Sequence, residues 1–549
     1  MRSFIPKILS QGSIFILAAL GAEFSKAGEP WIGWHYVGSQ AIKTSTNAPT
    51  VNEIWRMPES QHLGKVLISR LSRMPDREIL GPNITPPAIR PQIVKTLLEQ
   101  LLTIESFGEI HGPASGPPTL SLAAKLSLQQ VDGWDRHLRR YLGTLNWKEP
   151  QQNPSNDDLD WTAAHKNPAL LARFTKQGDW LLLSVGPDAF SCLTEWKTAL
   201  TDGKLPSVLP DGNVLRLKGN IDGLARWLAN ISLPSLADFN LNFKPQATGV
   251  RTEATIHLNE QIDFPLPEWS VPTNAIHDPV VSFSGARGLS GLVSSLPGTK
   301  TLAKQGIPPQ FFSWSRTFAM STNTAPIFPL YLGWPIPEND ISIANLTKLL
   351  PAIVGSNIIM SRSARLISFP NRNETILQLL PPFIQPFVRG FTNATHGVRV
   401  AGLFPLPADP RPAPPTLFQQ LNSAENLVYY QWEITQNRID AYKTLLQLLS
   451  FMFDKPQMST ASASYRWLEA VAPKLGNNSV TIVTAPSPKE LKLVRKSHFG
   501  LTGIEITALA RWLEAKSFPW IDTELLSTWK MKPFLPPPTI PKPNAEIGR

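Results

Sequence analysis

His277-Asp278, set just before Pro279, is the most site-like pair of neighbours in the chain, because a carboxylate beside an imidazole could orient it. Adjacent side chains usually point apart, and Asp before Pro is ordinary turn chemistry. The nine histidines, His35, His62, His111, His137, His165, His257, His277, His396 and His498, are scattered. None stands four residues from another, the spacing that puts two metal ligands on one helix face.

Other fragments fall short in the same way. Gly288-Leu-Ser290-Gly291 lacks the spacing of a nucleophile elbow. Ser527-Thr-Trp-Lys530 has a lysine one helical turn from a serine, but the companion motifs of penicillin-binding enzymes are missing. Gly64-Lys65 and Gly203-Lys204 have no glycine five residues earlier, so neither is a phosphate-binding loop. Asp157-Asp158-Leu159-Asp160 lacks calcium-loop spacing and reads as a solvated loop and helix cap. Cys192, the only cysteine, sits in an apolar run and reads as a small buried hydrophobe. No catalytic, cofactor-binding or metal-binding set is therefore assigned.

Ligand binding is the remaining chemistry. Seventeen tryptophans include Trp31 and Trp34, which with Tyr36 could stack on sugar rings; anchoring a core is the competing role. Trp31, Trp34, Tyr36, His277 and Asp278 are the ligand-binding candidates.

These residues must be held by short elements, since 53 prolines interrupt the 549 residues. Apolar spacing predicts helices over 60–74, 93–102, 134–145, 168–174, 190–200 and 441–453. Alternation predicts strands over 250–258 and, in part, 119–128, and compact apolar runs read as strands over 180–185, 276–283, 427–434 and 480–483. The basic runs 136–140 and 489–496 read as solvated helix faces.

Leu224-Ala-Arg-Trp-Leu228 recurs as Leu509-Ala-Arg-Trp-Leu513, displaced by 285 residues, and 168–185 has a loose counterpart in 473–483. The expectation is an α+β fold of two divergent tandem modules, each a mixed or antiparallel sheet packed with helices. The modules are placed at 28–245 and 246–530, with a Pro-rich disordered tail at 531–549.

Arg2 and Lys7 precede an uncharged stretch from Ile8 to Ala22, and Ser25 and Ala27 supply the small residues a signal peptidase requires. Residues 1–27 thus read as a secretory signal peptide cut near Ala27; a retained N-terminal membrane anchor is the alternative. A lone cysteine allows no internal disulfide, which fits a bacterial periplasm or cell envelope better than a disulfide-built secreted scaffold. The formal charge of +10 suits an anionic envelope polymer or a membrane surface. Nothing has the spacing of a nucleic-acid-binding motif, so no nucleic acid is expected.

The phrases Trp31-Ile-Gly-Trp34-His35-Tyr-Val-Gly38, Arg251-Thr-Glu-Ala-Thr255 and Pro272-Thr-Asn-Ala-Ile-His277-Asp-Pro279-Val-Val-Ser-Phe283 resemble uncharacterised exported proteins of Verrucomicrobia-type bacteria. The resemblance implies export and supplies no activity and no site residues. The expected function is a non-catalytic envelope protein with a binding or assembly role. A hydrolase acting extracytoplasmically on glycan or peptide is the alternative, its carboxylates being far apart in sequence.

Overall fold

The computed structural model describes residues 30–518 except 46–47, 74–88, 113–118, 146, 153–158, 166–169, 188, 205–208, 211, 221–235, 296–307, 317–328, 337–364, 379–384, 393–396, 405, 407–410, 423, 444–460 and 516–517. Residues 1–27, the tail 531–549, Ser527, Lys530, Asp157, Asp158 and the first pentapeptide, 224–228, lie outside the described residues.

The fold is α+β, dominated among the described residues by one twenty-stranded sheet. Among the described residues every strand pairing is antiparallel, the second of the two sheet types expected. Two neighbours near its middle are β10 (Gly249–Leu258) and β22 (Glu490–Ser497), paired from Val250 opposite Ser497 to His257 opposite Glu490.

Outward from β10 the order is β9 (Leu236–Gln246), β8 (Leu215–Asn220), β1 (Ile32–Tyr36), β2 (Ser106–His111) and β3 (Thr119–Lys125). Then follow β7 (Trp180–Gly186), β6 (Leu171–Gln177), β5 (Trp161–Ala164) and β4 (Gln151–Gln152). Outward from β22 the order is β21 (Asn478–Ser487), β20 (Leu427–Ile434), β12 (Val280–Arg287), β13 (Gln310–Arg316) and β14 (Leu330–Ile336). The end is formed by β18 (Gly397–Gly402), β17 (Phe387–Thr392), β16 (Glu374–Gln378) and β15 (Arg365–Phe369). A separate two-stranded ladder joins β11 (His277–Asp278) to β19 (Arg411–Pro412).

The helices are α1 (Ser39–Thr44), α2 (Pro49–Arg56), α3 (Pro58–Leu71), α4 (Ile89–Leu101), α5 (Leu128–Thr144) and α6 (Ala189–Thr201). They continue with α7 (Ser290–Ser295), α8 (Thr416–Gln419), α9 (435–443), α10 (Ala463–Val471) and α11 (Gly503–Glu514). Helix α5 starts earlier than its apolar spacing suggested, because Ser127 and Gln130 form a capping box one turn ahead. Its buried Val131, Trp134, Leu138 and Leu142 recur at helical spacing and join Leu122, Leu181, Trp161 and Phe174 in one core.

Two sequence expectations are overturned by strand pairing. Residues 168–174 were expected to be helical, yet Leu171–Gln177 is a strand that closes on β7 through Gly178, whose φ of +60° suits the turn. Its Ala172 and Phe174 are buried on the α5 face and Arg173 and Thr175 on the other, a period of two. Likewise 489–496 is not a helix face: β22 alternates buried Leu491, Leu493 and Arg495 with exposed Lys492 and Lys496.

A second core joins the ends of the chain. Ile54 of α2 and Leu63 of α3 are buried with Trp467 and Leu468 of α10 and Ile506 and Ala510 of α11. The Trp467 indole donates to the Ser60 hydroxyl at 3.1 Å, and Arg70 donates to the backbone carbonyls of Leu513 and Ala515. The second pentapeptide lies in α11, where Ala510 is fully buried and Arg511 and Trp512 are half-buried.

Candidate functional site

Strand alternation gives β20, β21 and β22 two unlike faces. On one face, Trp432, Val480 and Lys496 lie opposite one another on successive strands, and so do Tyr430, Ile482 and Val494. These six residues floor a cavity of about 490 Å³. Leu417, Thr416 and Gln420, with Pro414, wall it on one side, and Asp278, Val280 and Asn478 complete the lining. Volume and composition suit a small-molecule site: apolar and aromatic walls with a few polar groups.

The opposite face carries a buried polar belt. Ser315, Ser282, Glu433 and Ser479 form one transverse row across four strands, and Ser313, Ser284, Gln431, Thr481, Arg495 and Thr252 form another across six. The Arg495 guanidinium donates to both Glu505 oxygens at 2.6 and 3.1 Å, to the Thr481 hydroxyl at 2.8 Å and to the Gly500 carbonyl at 3.2 Å. Glu505 also closes the capping box of α11 with Thr502. Glu433 accepts from the Gly503 backbone N–H at 2.6 Å and from the Gln431 amide at 2.9 Å.

Burial raises the Glu433 carboxyl above the ordinary range, with Arg438 and Arg495 acting against it. Burial also pushes Tyr442 up to about 12, and its ring lies 4.6 Å from the Arg438 guanidinium. Both carboxylates of this belt are occupied by internal bonds. Their work is to lock β20 to β22 and α11 together, which makes the cavity floor rigid.

The candidates named from sequence separate. Asp278 lines the cavity, where its Oδ1 accepts from the Val280 N–H at 3.2 Å and its carbonyl accepts from Arg316 at 2.8 Å. His277 belongs to the same short strand, and its pKa is lowered by burial and by Arg316 and Arg389. Trp31 is buried. Trp34 lies opposite Gly108 in register, its ring filling the space a Cβ there would need, and packs on the α5 core. The Tyr36 hydroxyl donates to the Leu102 carbonyl at 3.4 Å, and burial pushes its pKa up to about 12. The structure therefore brings none of the three aromatic residues to the cavity.

Cys192 packs beside a small aromatic core and accepts from the Ser121 hydroxyl at 3.2 Å. Asp160, expected in a solvated loop, is buried, with Lys197 at 3.1 Å and Arg173 at 3.6 Å. Sequence spacing also missed two histidine–carboxylate pairs, His35 with Glu105 at 3.2 Å and His257 with Asp238 at 2.6 Å. Among the described residues, no group of three His, Cys, Asp or Glu side chains could hold a metal ion, and no helix is long and apolar enough to cross a membrane.

No family model and no curated protein matches the chain. Solved structures overlap it in part. Crystal form III of TP0453 has a TM-score of 0.25 and 9% identity over 45% of this chain and 82% of that one. Crystal form I has a TM-score of 0.24 and 10% identity over 45% and 81%. At such TM-scores the overlap does not establish a common fold.

Proposed function

We propose that this is an exported cell-envelope protein that binds its ligand without transforming it, in the cavity floored by β20, β21 and β22. The observation that carries the reading is the lining. Its one carboxylate among the described residues, Asp278, is held by the Val280 N–H, while most of the rest is apolar or aromatic. Glycoside hydrolysis needs two carboxyl groups facing one bond. The buried Glu433 and Glu505 lie on the other face of the sheet and are engaged there.

The test is a binding titration of the mature chain with the neutral fluorophore N-phenyl-1-naphthylamine. Saturable fluorescence enhancement is expected, and Val480→Trp, which fills the floor, should reduce it at least tenfold. A folded protein giving no enhancement would overturn the reading.

Duplication belongs to the same proposal. Outward from the β10–β22 pair, the strands follow the same chain order on both sides: β10, β9, β8, β1, β2, β3, β7, β6, β5, β4 mirrors β22, β21, β20, β12, β13, β14, β18, β17, β16, β15. This correspondence supports two copies of one module. It pairs 215–258 with 427–497, so the two pentapeptides do not coincide in it: 224–228 falls between β8 and β9 in the chain, while 509–513 follows β22.

A further inference from the structure

We infer that the ligand of this cavity is an acidic amphiphile, an apolar chain joined to a phosphate-type head group; the inference rests on the binding reading above. The row Trp432, Val480, Lys496 does not stop at the cavity rim. Lys496 lies directly opposite Arg251 of β10, and Arg251 lies directly opposite Lys244 of β9. Three cations thus occupy successive cross-strand positions on the face that carries the cavity. Directly opposed side chains have Cβ atoms roughly 4.5–5.5 Å apart, and like charges so placed repel.

Of the three cations only the middle one is paired among the described residues. Glu253 takes Arg251, with Nε 2.5 Å from Oε1. Neither Lys496 nor Lys244 has an ion-pair partner among the described residues, and both are exposed. Elsewhere on this face the cations are engaged: Lys218 with Glu109 at 2.9 Å, Lys492 with Glu490 at 3.2 Å, and Arg216 with the Asn240 side chain at 3.0 Å. The uncompensated charge is therefore concentrated where the apolar floor ends, with Lys496 belonging to both.

A head group carrying more than one negative charge would span Lys496, Arg251 and Lys244 and relieve their repulsion. Its chain would lie over Val480, Ile482 and Val494 under Leu417. A free anion would use the cations and leave the cavity empty. A neutral apolar molecule would use the cavity and leave the repulsion in place.

The experiment is displacement of N-phenyl-1-naphthylamine from the mature chain by dodecyl phosphate, dodecanol and inorganic phosphate at low ionic strength. Dodecyl phosphate should displace the probe at a concentration at least tenfold below dodecanol, and inorganic phosphate should not displace it. Lys244→Glu, which lies outside the cavity lining, should reduce the preference severalfold and leave the dodecanol value unchanged. Lys244 is exposed, so the fold should persist, as checked by circular dichroism.

Equal displacement by dodecanol and dodecyl phosphate would overturn the inference and leave the binding cavity standing. Phosphate displacing the probe as well as dodecyl phosphate would show that the head group alone accounts for the competition and would overturn the amphiphile. Failure of the probe to bind wild-type protein would remove the cavity reading itself.

Discussion

Arg495 and Glu505, ten residues apart, make two parallel hydrogen bonds of 2.6 and 3.1 Å with both side chains buried. The pair ties β22 to α11 beneath the cavity floor. Removing one member strands the other charge in a low-dielectric site, at a cost of about 3–5 kcal/mol. Arg495→Met alone should lower stability in urea by that order, and the double replacement Arg495→Met with Glu505→Met should cost less than the two single changes added. Additive costs in the double-mutant cycle would show that the two residues are not coupled.

The Glu433 carboxyl gives stability a pH dependence of defined sign. Its folded pKa lies above the ordinary value of 4.5, so between those two values the folded state holds a proton that the unfolded state has released. Stability contributed by this group is therefore present at low pH and lost as pH rises through its folded pKa. Glu433→Gln should flatten that decline. Urea midpoints measured from pH 4 upward check this, and an unchanged slope between variant and wild type would contradict it.

Gly108 lies beneath the Trp34 ring, and a Cβ there would sit 2.2 Å from it. Gly108→Val should destabilise the protein by roughly 1–3 kcal/mol, the usual cost of overpacking. A near-neutral result in chemical denaturation would mean that Trp34 swings out freely, reviving it as an exposed stacking surface.

Arg287 fastens a loop to the sheet through its fork. Its guanidinium donates to the carbonyls of Leu427, Pro267 and Glu425 at 2.8, 2.8 and 3.1 Å, and lies 4.7 Å from the Trp269 ring centre. A lysine has one donor group where this site uses three nitrogens. Arg287→Lys should therefore lower the thermal midpoint by several degrees despite conserving charge. Hydrogen exchange should rise around 265–270 and 425–427; exchange unchanged there would remove the fastening role.

Processing offers a separate check on the start of the chain. If residues 1–27 direct export, the protein recovered from the envelope fraction should begin at Gly28, and Ala27→Leu should block the cut by putting a bulky residue where a small one is required. Mass spectrometry of the intact product reads both outcomes.

Local pattern was enough for much of the chain. Alternation marked β10, compact apolar runs marked β7 and β20, and helical patterns marked α3, α4, α6 and the body of α5. It failed where a buried strand looks like a buried helix: residues 168–174 read as a helix, whereas 171–177 pair with β7, and the lysines of β22 read as a solvated helix face. Short apolar runs satisfy either period.

The candidate site was scarcely legible, because its residues come from strands far apart in the chain. From sequence alone came the α+β composition, the absence of any local catalytic spacing, an unusual share of tryptophan and a start that reads as a signal peptide. Tertiary structure decided which of those tryptophans is buried, placed Asp278 in a cavity and His277 among arginines, and set Arg251 between Lys244 and Lys496. The reason is physical: cross-strand register depends on the pairing of whole strands, so residues 245 positions apart become neighbours at roughly 5 Å without leaving a mark on the sequence around either one.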